Sequence, residues 1–581
     1  MDMRAVAALL VAAACAAGEP APGPAKGPAR RVDAHDPASG VLELDPPAAA
    51  GAMAPNLAPG VDGEALLAWV EPDGSGKRVR LSRLSGMKWS KAATIAAGER
   101  VMASWADVPA LVRVADGMMI GSWGTSGHGE ATDLHLGLVR PGGEWKPLGR
   151  AHDDQSETEH GFASFVADGD GAIAVWLDGR ATARGQPTAL RAVRVGDGGL
   201  SEPALLDESV CDCCPTAAAA TDRGPVVVYR DRDAKERRDI SIIRRVGGGW
   251  TEPAAVHADG WTIKGCPVNG PAVAARGSVV AVAWYTEAAG KPTVRVAFSQ
   301  DSGARFGAPI EVDGPAGSRV PLGRVAVALD GAGDALVTWM AARSGGAAAE
   351  ILVRRVGAAG GTGPERTVAT TRAARSSGIP RALRVDEWLL VAWSDSAARR
   401  LRVSAIALRE IGAPAAPVTQ ESAQAEVAAG ARAGNAAVGK TVQPQYKARA
   451  VDGHVVRLQD LRGKVVVVNL WATWCGPCVA EFPHLVALHK SYAARGVEFV
   501  MLSIDEDDAR PRVLAAWQKH ALPFTLWLDN LETAPIDFAA PSIPVTLVLD
   551  RKGVVRFRRD GKITENDSEL VSAIDAALAD R

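Results

Sequence analysis

From residue 41 to about residue 410 the chain alternates short apolar runs with Gly-rich polar turns, and one pattern recurs: an apolar run that ends in an aromatic. It stands at Leu66-Leu-Ala-Trp69, Met119-Ile-Gly-Ser-Trp123, Ala174-Val-Trp176, Val226-Val-Val-Tyr229, Ala281-Val-Ala-Trp284, Leu336-Val-Thr-Trp339 and Leu390-Val-Ala-Trp393. Successive aromatics are 54, 53, 53, 55, 55 and 54 residues apart. A period held over seven units marks an array of similar modules. Each unit contains three or four strand-length runs, as in Pro225–Tyr229, Ile240–Val246 and Ala254–His257, which is the content of one β-propeller blade. The seventh unit lacks an outer strand, and Val41-Leu-Glu-Leu-Asp45 precedes the first, so one can complete the other and close a ring.

The pattern changes near residue 438. Lys464-Val-Val-Val-Val-Asn469-Leu is a continuous apolar run, as a strand covered on both faces requires, and Val479 to Tyr492 has helical spacing. Between them lies Trp471-Ala-Thr-Trp-Cys475-Gly-Pro-Cys478. Cys475 is thereby placed at a helix N-terminus, where unpaired amides favour a thiolate, and Pro477 is tolerated because the first turn has no use for its missing N–H. Cys475 is expected to be the exposed, low-pKa nucleophile and Cys478, one turn along, the thiol that resolves a mixed disulfide. A zinc half-site would need a second ligand pair, and the other candidates after residue 438, His454, His484, His489 and His520, are unpaired in sequence.

Gly463 to Pro483, which contains these cysteines and Glu481, together with Ser542-Ile543-Pro544-Val545-Thr546, resembles the TlpA/ResA family of thioredoxin-like, extracytoplasmic thiol-disulfide oxidoreductases. The resemblance covers about residues 438 to 581. It implies an α/β thioredoxin-like fold, Cys475 as nucleophile, Cys478 as resolving thiol, Trp474 beside them, and Pro544 as a cis-proline facing the disulfide. It requires no cofactor beyond the redox-active Cys475/Cys478 pair. Asn469 stands where cytosolic thioredoxins carry a buried carboxylate, which leaves Glu481 as the candidate proton-transfer group; a solvated helix residue is the alternative.

In the repeats, Ser299-Gln-Asp301-Ser-Gly303-Ala-Arg-Phe306 matches the Asp-box of sialidase-like propellers, a turn between the two outer strands of a blade. Sialidases have six blades, so six is the alternative to the seven read from the period. Their tyrosine nucleophile has little support: only Tyr229 and Tyr285 occur in this region, and Tyr229 holds a repeated core-aromatic position. The loops entering the first strand of each blade, and those between strands two and three, emerge opposite the Asp-box turn. That face collects His128, Glu130, Glu157 to His160, Asp178-Gly179-Arg180, Arg230-Asp231-Arg232, Arg237-Arg238-Asp239 and a cysteine cluster. Cys211-Asp-Cys213-Cys214-Pro and Cys266-Pro precede the first strands of neighbouring blades. A Cys214–Cys266 disulfide is the favoured pairing, with Cys211 or Cys213 left exchangeable; structural disulfides and a copper or zinc thiolate site are the alternatives.

The 581 residues carry 65 Lys and Arg against 67 Asp and Glu, with no basic stripe, which argues against a nucleic-acid partner. Met1 to Arg4 followed by apolar Ala5 to Ala14 has the form of a secretory signal, too short to span a bilayer. Ala12-Ala-Ala-Cys15 resembles a bacterial lipobox, with Ala12 where Leu is usual, and implies lipidation of Cys15 and, with Ala16 next, an outer-membrane lipoprotein; an ordinary signal peptide with an incidental Cys15 is the alternative. The expected organisation is a signal over 1–15, a tether over 16–40, an all-β propeller over 41–411, an Ala-rich linker over 412–437 and a thioredoxin-like domain over 438–581. The expected function is thiol-disulfide exchange in the periplasm or cell envelope, with a protein thiol or disulfide client, an upstream membrane thiol reductant and a propeller that binds or presents the client. The alternative makes the propeller a protein- or glycan-binding scaffold, or less plausibly a glycoside hydrolase, with an accessory redox domain.

Overall fold

The computed structural model describes residues 35–36, 40–415 and 438–580, apart from 128–130, 315–318, 344–347, 443–445, 506–508, 530–533, 539, 541–542 and 566. Cys15, His128, Glu130, the signal segment and most of the expected tether and linker therefore lie outside the described residues.

Seven antiparallel sheets of four or five strands follow one another along the chain, so the seven-bladed reading holds and the six-bladed alternative does not. Their first strands, Met53–Pro59, Leu111–Arg113, His160–Asp168, Ala217–Thr221, Ala272–Arg276, Arg319–Leu329 and Arg381–Val385, contact one another in a closed circuit around the axis. The last blade is completed by Val41–Leu44, which pairs antiparallel with Arg400–Ala407.

The repeated aromatics explain the period. Each lies on the second strand of its blade, and Trp69, Trp176, Tyr229, Trp284 and Trp339 are fully buried between blades. A buried indole or phenol needs a partner for its polar edge. Trp69 Nε1 donates to Glu71 at 2.8 Å, Trp176 Nε1 to Asp178 at 3.1 Å, Trp284 Nε1 to Asp259 at 2.6 Å, and the Tyr229 hydroxyl to Asp207 at 2.6 Å. In the Asp-box, Ser299 Oγ accepts from the amides of Asp301 and Gly303 and donates to Asp301 Oδ1 at 2.8 Å, closing the turn before the outermost strand.

The C-terminal domain is a seven-stranded mixed sheet in the order Val455–Arg457, Lys447–Ala450, Thr525–Leu528, Val497–Ser503, Val465–Trp471, Val545–Leu549 and Val555–Asp560. All seven residues of Val465–Trp471 are buried, as its unbroken apolar run predicts. Among the described residues, no helix is long and apolar enough to cross a membrane.

Candidate active site

The strand Val465–Trp471 delivers the chain to the N-terminus of the helix Gly476–Tyr492, with Cys475 as its cap. Cys475 Sγ accepts from the Cys478 amide at 3.2 Å, and the two cysteines form a disulfide. Thr473 holds the approach: its amide and hydroxyl donate to Asp505 at 2.9 Å and 2.6 Å. The Ile543–Pro544 peptide is cis.

Glu481 is fully buried on the same helix as Cys478 and three residues beyond it, hence on the same face. Asn469 Nδ2 donates to one carboxylate oxygen at 2.7 Å and the Ile563 amide to the other at 2.8 Å. Burial outweighs both hydrogen bonds and pushes the carboxyl up to about 8. Glu481 is therefore a buried carboxyl and not the solvated helix residue of the alternative reading.

Cys475 is only 1% exposed, against the expectation of an exposed nucleophile. The polar face of the propeller lies against the redox domain beside this site. The Cys266 amide donates to the Ile543 carbonyl at 3.3 Å in an antiparallel bridge. Arg375, on the loop entering the seventh blade's first strand, is buried with its guanidinium 4.8 Å from the centre of the Trp474 ring, and it also lies over Trp105 at 5.8 Å. At Gly561, whose amide donates to the Pro544 carbonyl at 2.8 Å, a Cβ would come within 2.6 Å of Lys264 Cβ, so the two backbones meet where φ is +95°.

The same interface holds Glu287 of the propeller within electrostatic range of Asp560 and Arg558. Burial, helped by Asp560 and opposed by Arg558, pushes Glu287 up to about 7. A carboxyl raised in the docked state favours docking below its free pKa and loses that contribution as pH rises through about 7. Glu287→Gln should therefore dock more tightly than wild type at pH 8 and equally at pH 5. The ratio of Cys475 alkylation rates, variant over wild type after reduction, should fall below one only at the higher pH.

The propeller cysteines cluster, but not in the expected pairs. The turn at residues 212–214 brings Cys211 and Cys214 face to face with their sulfurs 2.7 Å apart, while Cys213 stands 3.9 Å from Cys211 and turns toward the next blade. Cys266 Sγ lies 3.6 Å from Asp212 Oδ1, and the ligand atoms of Asp212, Cys213 and Cys266 are all within 4.8 Å of one another. The favoured Cys214–Cys266 bridge is thus replaced by a Cys211/Cys214 pair and a Cys213/Cys266 pair. The sequence carried a signal for the first: Cys211 and Cys214 have the same spacing as Cys475 and Cys478.

Arg238, also buried, sets the polarity of the cluster from 3.3 Å to Cys211 Sγ. Burial opposes a Cys211 thiolate, but contacts with Cys213 and Cys214 and the Arg238 charge outweigh it and hold Cys211 well below the usual thiol range. Burial and the contact with Cys211 push Cys213 and Cys214 up. Elsewhere on this face His152 and His160 stack at 3.8 Å with Asp154 beside both rings, a grouping of which the sequence reading marked only His160.

The profile of the Redoxin family matches residues 437–578. The thiol-disulfide oxidoreductase ResA of Geobacillus kaustophilus (strain HTA426) is 32% identical over 133 residues, which are 23% of this chain and 75% of that protein. The thioredoxin-like protein YneN of Bacillus subtilis (strain 168) is 31% identical over 126 residues, 22% of this chain and 74% of that one. With a disulfide capping a helix at the end of a buried strand, and a buried carboxyl one turn behind it, these likenesses make the chain a member of the thioredoxin-like thiol-disulfide oxidoreductases, fused behind a seven-bladed propeller.

Proposed function

We propose that this protein catalyses thiol-disulfide exchange at Cys475 and Cys478, in the cell envelope, with the propeller controlling access to the pair. Cys475 attacks or is attacked, Cys478 resolves the mixed disulfide, Glu481 moves the proton, and Trp474 and Pro544 shape the surface on which the partner peptide rests. The observation that carries this reading is the position of Cys475 as helix cap, its sulfur already accepting the Cys478 amide, because that arrangement stabilises the thiolate released when the disulfide opens. Export and lipid anchoring at Cys15 rest on the N-terminal sequence pattern, and the membrane thiol reductant follows from them.

The glycoside-hydrolase alternative is disfavoured by the two propeller tyrosines: both are buried, and the Tyr229 hydroxyl is engaged by Asp207. Copper or zinc held by Cys211 and Cys214 together fits poorly, since two thiolates on one tetrahedral zinc stand roughly 3.8 Å apart given Zn–S bonds of about 2.3 Å, against 2.7 Å here.

The test is catalysis by the purified full chain. With dithiothreitol as electron source it should accelerate reduction of insulin disulfides well above the dithiothreitol rate. No acceleration by wild type, at any pH between about 6 and 9, would remove catalysis on disulfides outside the chain.

A further inference from the structure

The contact between the domains is specific in place. A strand edge that stops at a proline offers its last carbonyl to any extended segment laid beside it, because the proline has no N–H with which to continue a ladder. Here that carbonyl belongs to Ile543, next to Pro544, and the segment that takes it is the propeller loop at Cys266. Peptides are held on exposed sheet edges in this way: main-chain pairing supplies attachment, and the side chain at the paired position is presented to the neighbouring site. The presented side chain is a thiol. Lys264, two residues earlier, packs on Gly561 behind the same proline loop, so the segment is fixed at two points.

Behind Cys266 the sulfurs continue inward. Cys213 lies within 4.8 Å of Cys266, Cys211 is 3.9 Å from Cys213, and Cys214 is 2.7 Å from Cys211. Arg375, over Trp474, is within electrostatic range of Cys213, Cys266 and Asp505, so one buried cation faces the propeller thiols and the active-site loop together. Arg238 does the same for Cys211. Among the described residues, the free cysteines of the chain are these four.

We infer that Cys266 is the resident substrate of the Cys475–Cys478 site, and that it couples this disulfide to the propeller thiols through a Cys266–Cys475 mixed disulfide. The inference rests on the exchange chemistry proposed above and names its partner. The Cys266 thiolate, its proton passed to Asp212, attacks Cys475 Sγ. The Cys475–Cys478 bond breaks, its electron pair leaves on Cys478, and Cys478 takes a proton from Glu481. The Cys213 thiolate then attacks Cys266 Sγ and expels Cys475 as a thiolate, which takes up the proton Cys213 gave up; Asp212 and Glu481 re-equilibrate. Two thiols of the propeller become one disulfide, one active-site disulfide becomes two thiols, and two electrons and two protons have moved. No further reactant enters, and the reverse path reduces a propeller disulfide. One more exchange of the same kind passes the disulfide to Cys211 and Cys214, where the Arg238-stabilised thiolate is the attacking group.

The experiment traps the mixed disulfide. In the full chain, Cys213→Ser with Cys478→Ser removes both resolving thiols and leaves Cys475 and Cys266 as partners. After mild oxidation with diamide, non-reducing peptide mapping should find the Cys266 peptide linked to the Cys475 peptide in most molecules. The single variant Cys478→Ser leaves every propeller residue intact and should give the same link in lower yield. Cys475 found only as free thiol, or only in links between chains, in both variants would overturn the inference. Insulin reduction by wild type is measured alongside. Turnover without the link would sink the relay and leave the oxidoreductase reading standing, whereas the link without turnover would support the relay and restrict the enzyme to its own propeller.

Discussion

Glu481→Gln should slow turnover of a disulfide substrate about 10²-fold near neutral pH, the low end of what a positioned acid–base group contributes. Cys478 is fully buried, so its proton cannot go directly to bulk water, and Glu481 lies one helical turn away on the same face. With its carboxyl pushed up to about 8, Glu481 exchanges a proton at little cost across the neutral range. The wild-type rate should rise with pH and level off near 8, and the Gln variant should lose that inflection while keeping its fold. An unchanged profile would assign proton transfer to another group. Stability follows with the sign set by the neutral form: a carboxyl raised from 4.5 to about 8 on folding contributes stability that is full below 4.5 and lost as pH rises through about 8. Wild type should therefore lose more melting temperature between about pH 6 and pH 9 than Glu481→Gln.

Arg375→Ala should make reduced Cys475 react faster with a small alkylating agent, by about 2- to 30-fold. The range is the 0.5–2 kcal/mol of a cation–π contact expressed as a shift of the docking equilibrium. In the docked arrangement Cys475 is buried, and the Arg375–Trp474 contact is one of three attachments between the domains, with the Cys266–Ile543 bridge and the Lys264–Gly561 packing. Gly561→Ala, which places a methyl against Lys264, should act in the same direction. Alkylation at the wild-type rate in both variants would mean that the burial of Cys475 is a property of the redox domain alone. The buried Arg375 charge is received by the aromatic faces of Trp105 and Trp474 together with the nearby Cys213, Cys266 and Asp505.

The seven blades were legible because each sets one large aromatic at the same point of its second strand, buried in all but the half-buried Trp123, and a repeated packing requirement writes a fixed period. Ring closure by Val41–Leu44 was legible for the complementary reason that the last unit is a strand short. The redox pair could be read from Cys475-Gly-Pro-Cys478 between an apolar run and a helical pattern, and Glu481 was marked as a candidate by the neutral Asn469, which stands where cytosolic thioredoxins carry a carboxylate and here donates to it. The contact between the two domains was not legible. It is made by Cys266 against Ile543 and Arg375 against Trp474, pairs far apart in sequence, and no local pattern records which surface of one domain meets another. The cysteine pairing failed for a local reason: blade equivalence pointed from Cys214 to Cys266, whereas a tight turn brings residues three apart together and so sets the free thiol of Cys214 against that of Cys211.

The strand Val41–Leu44 that closes the last blade precedes all seven blades in the chain, yet its partner Arg400–Ala407 is made more than 350 residues later. Until then the ring is an open arc, and Val41–Leu44 has only the short neighbouring strand His35–Asp36 to pair with. The propeller therefore closes late, through a contact of very long sequence separation, which is the slow and aggregation-exposed kind of folding step. A chain shortened by removing residues 35–44 would keep every blade-core aromatic and still carry a bare edge at Arg400–Ala407, an open template for pairing with another copy.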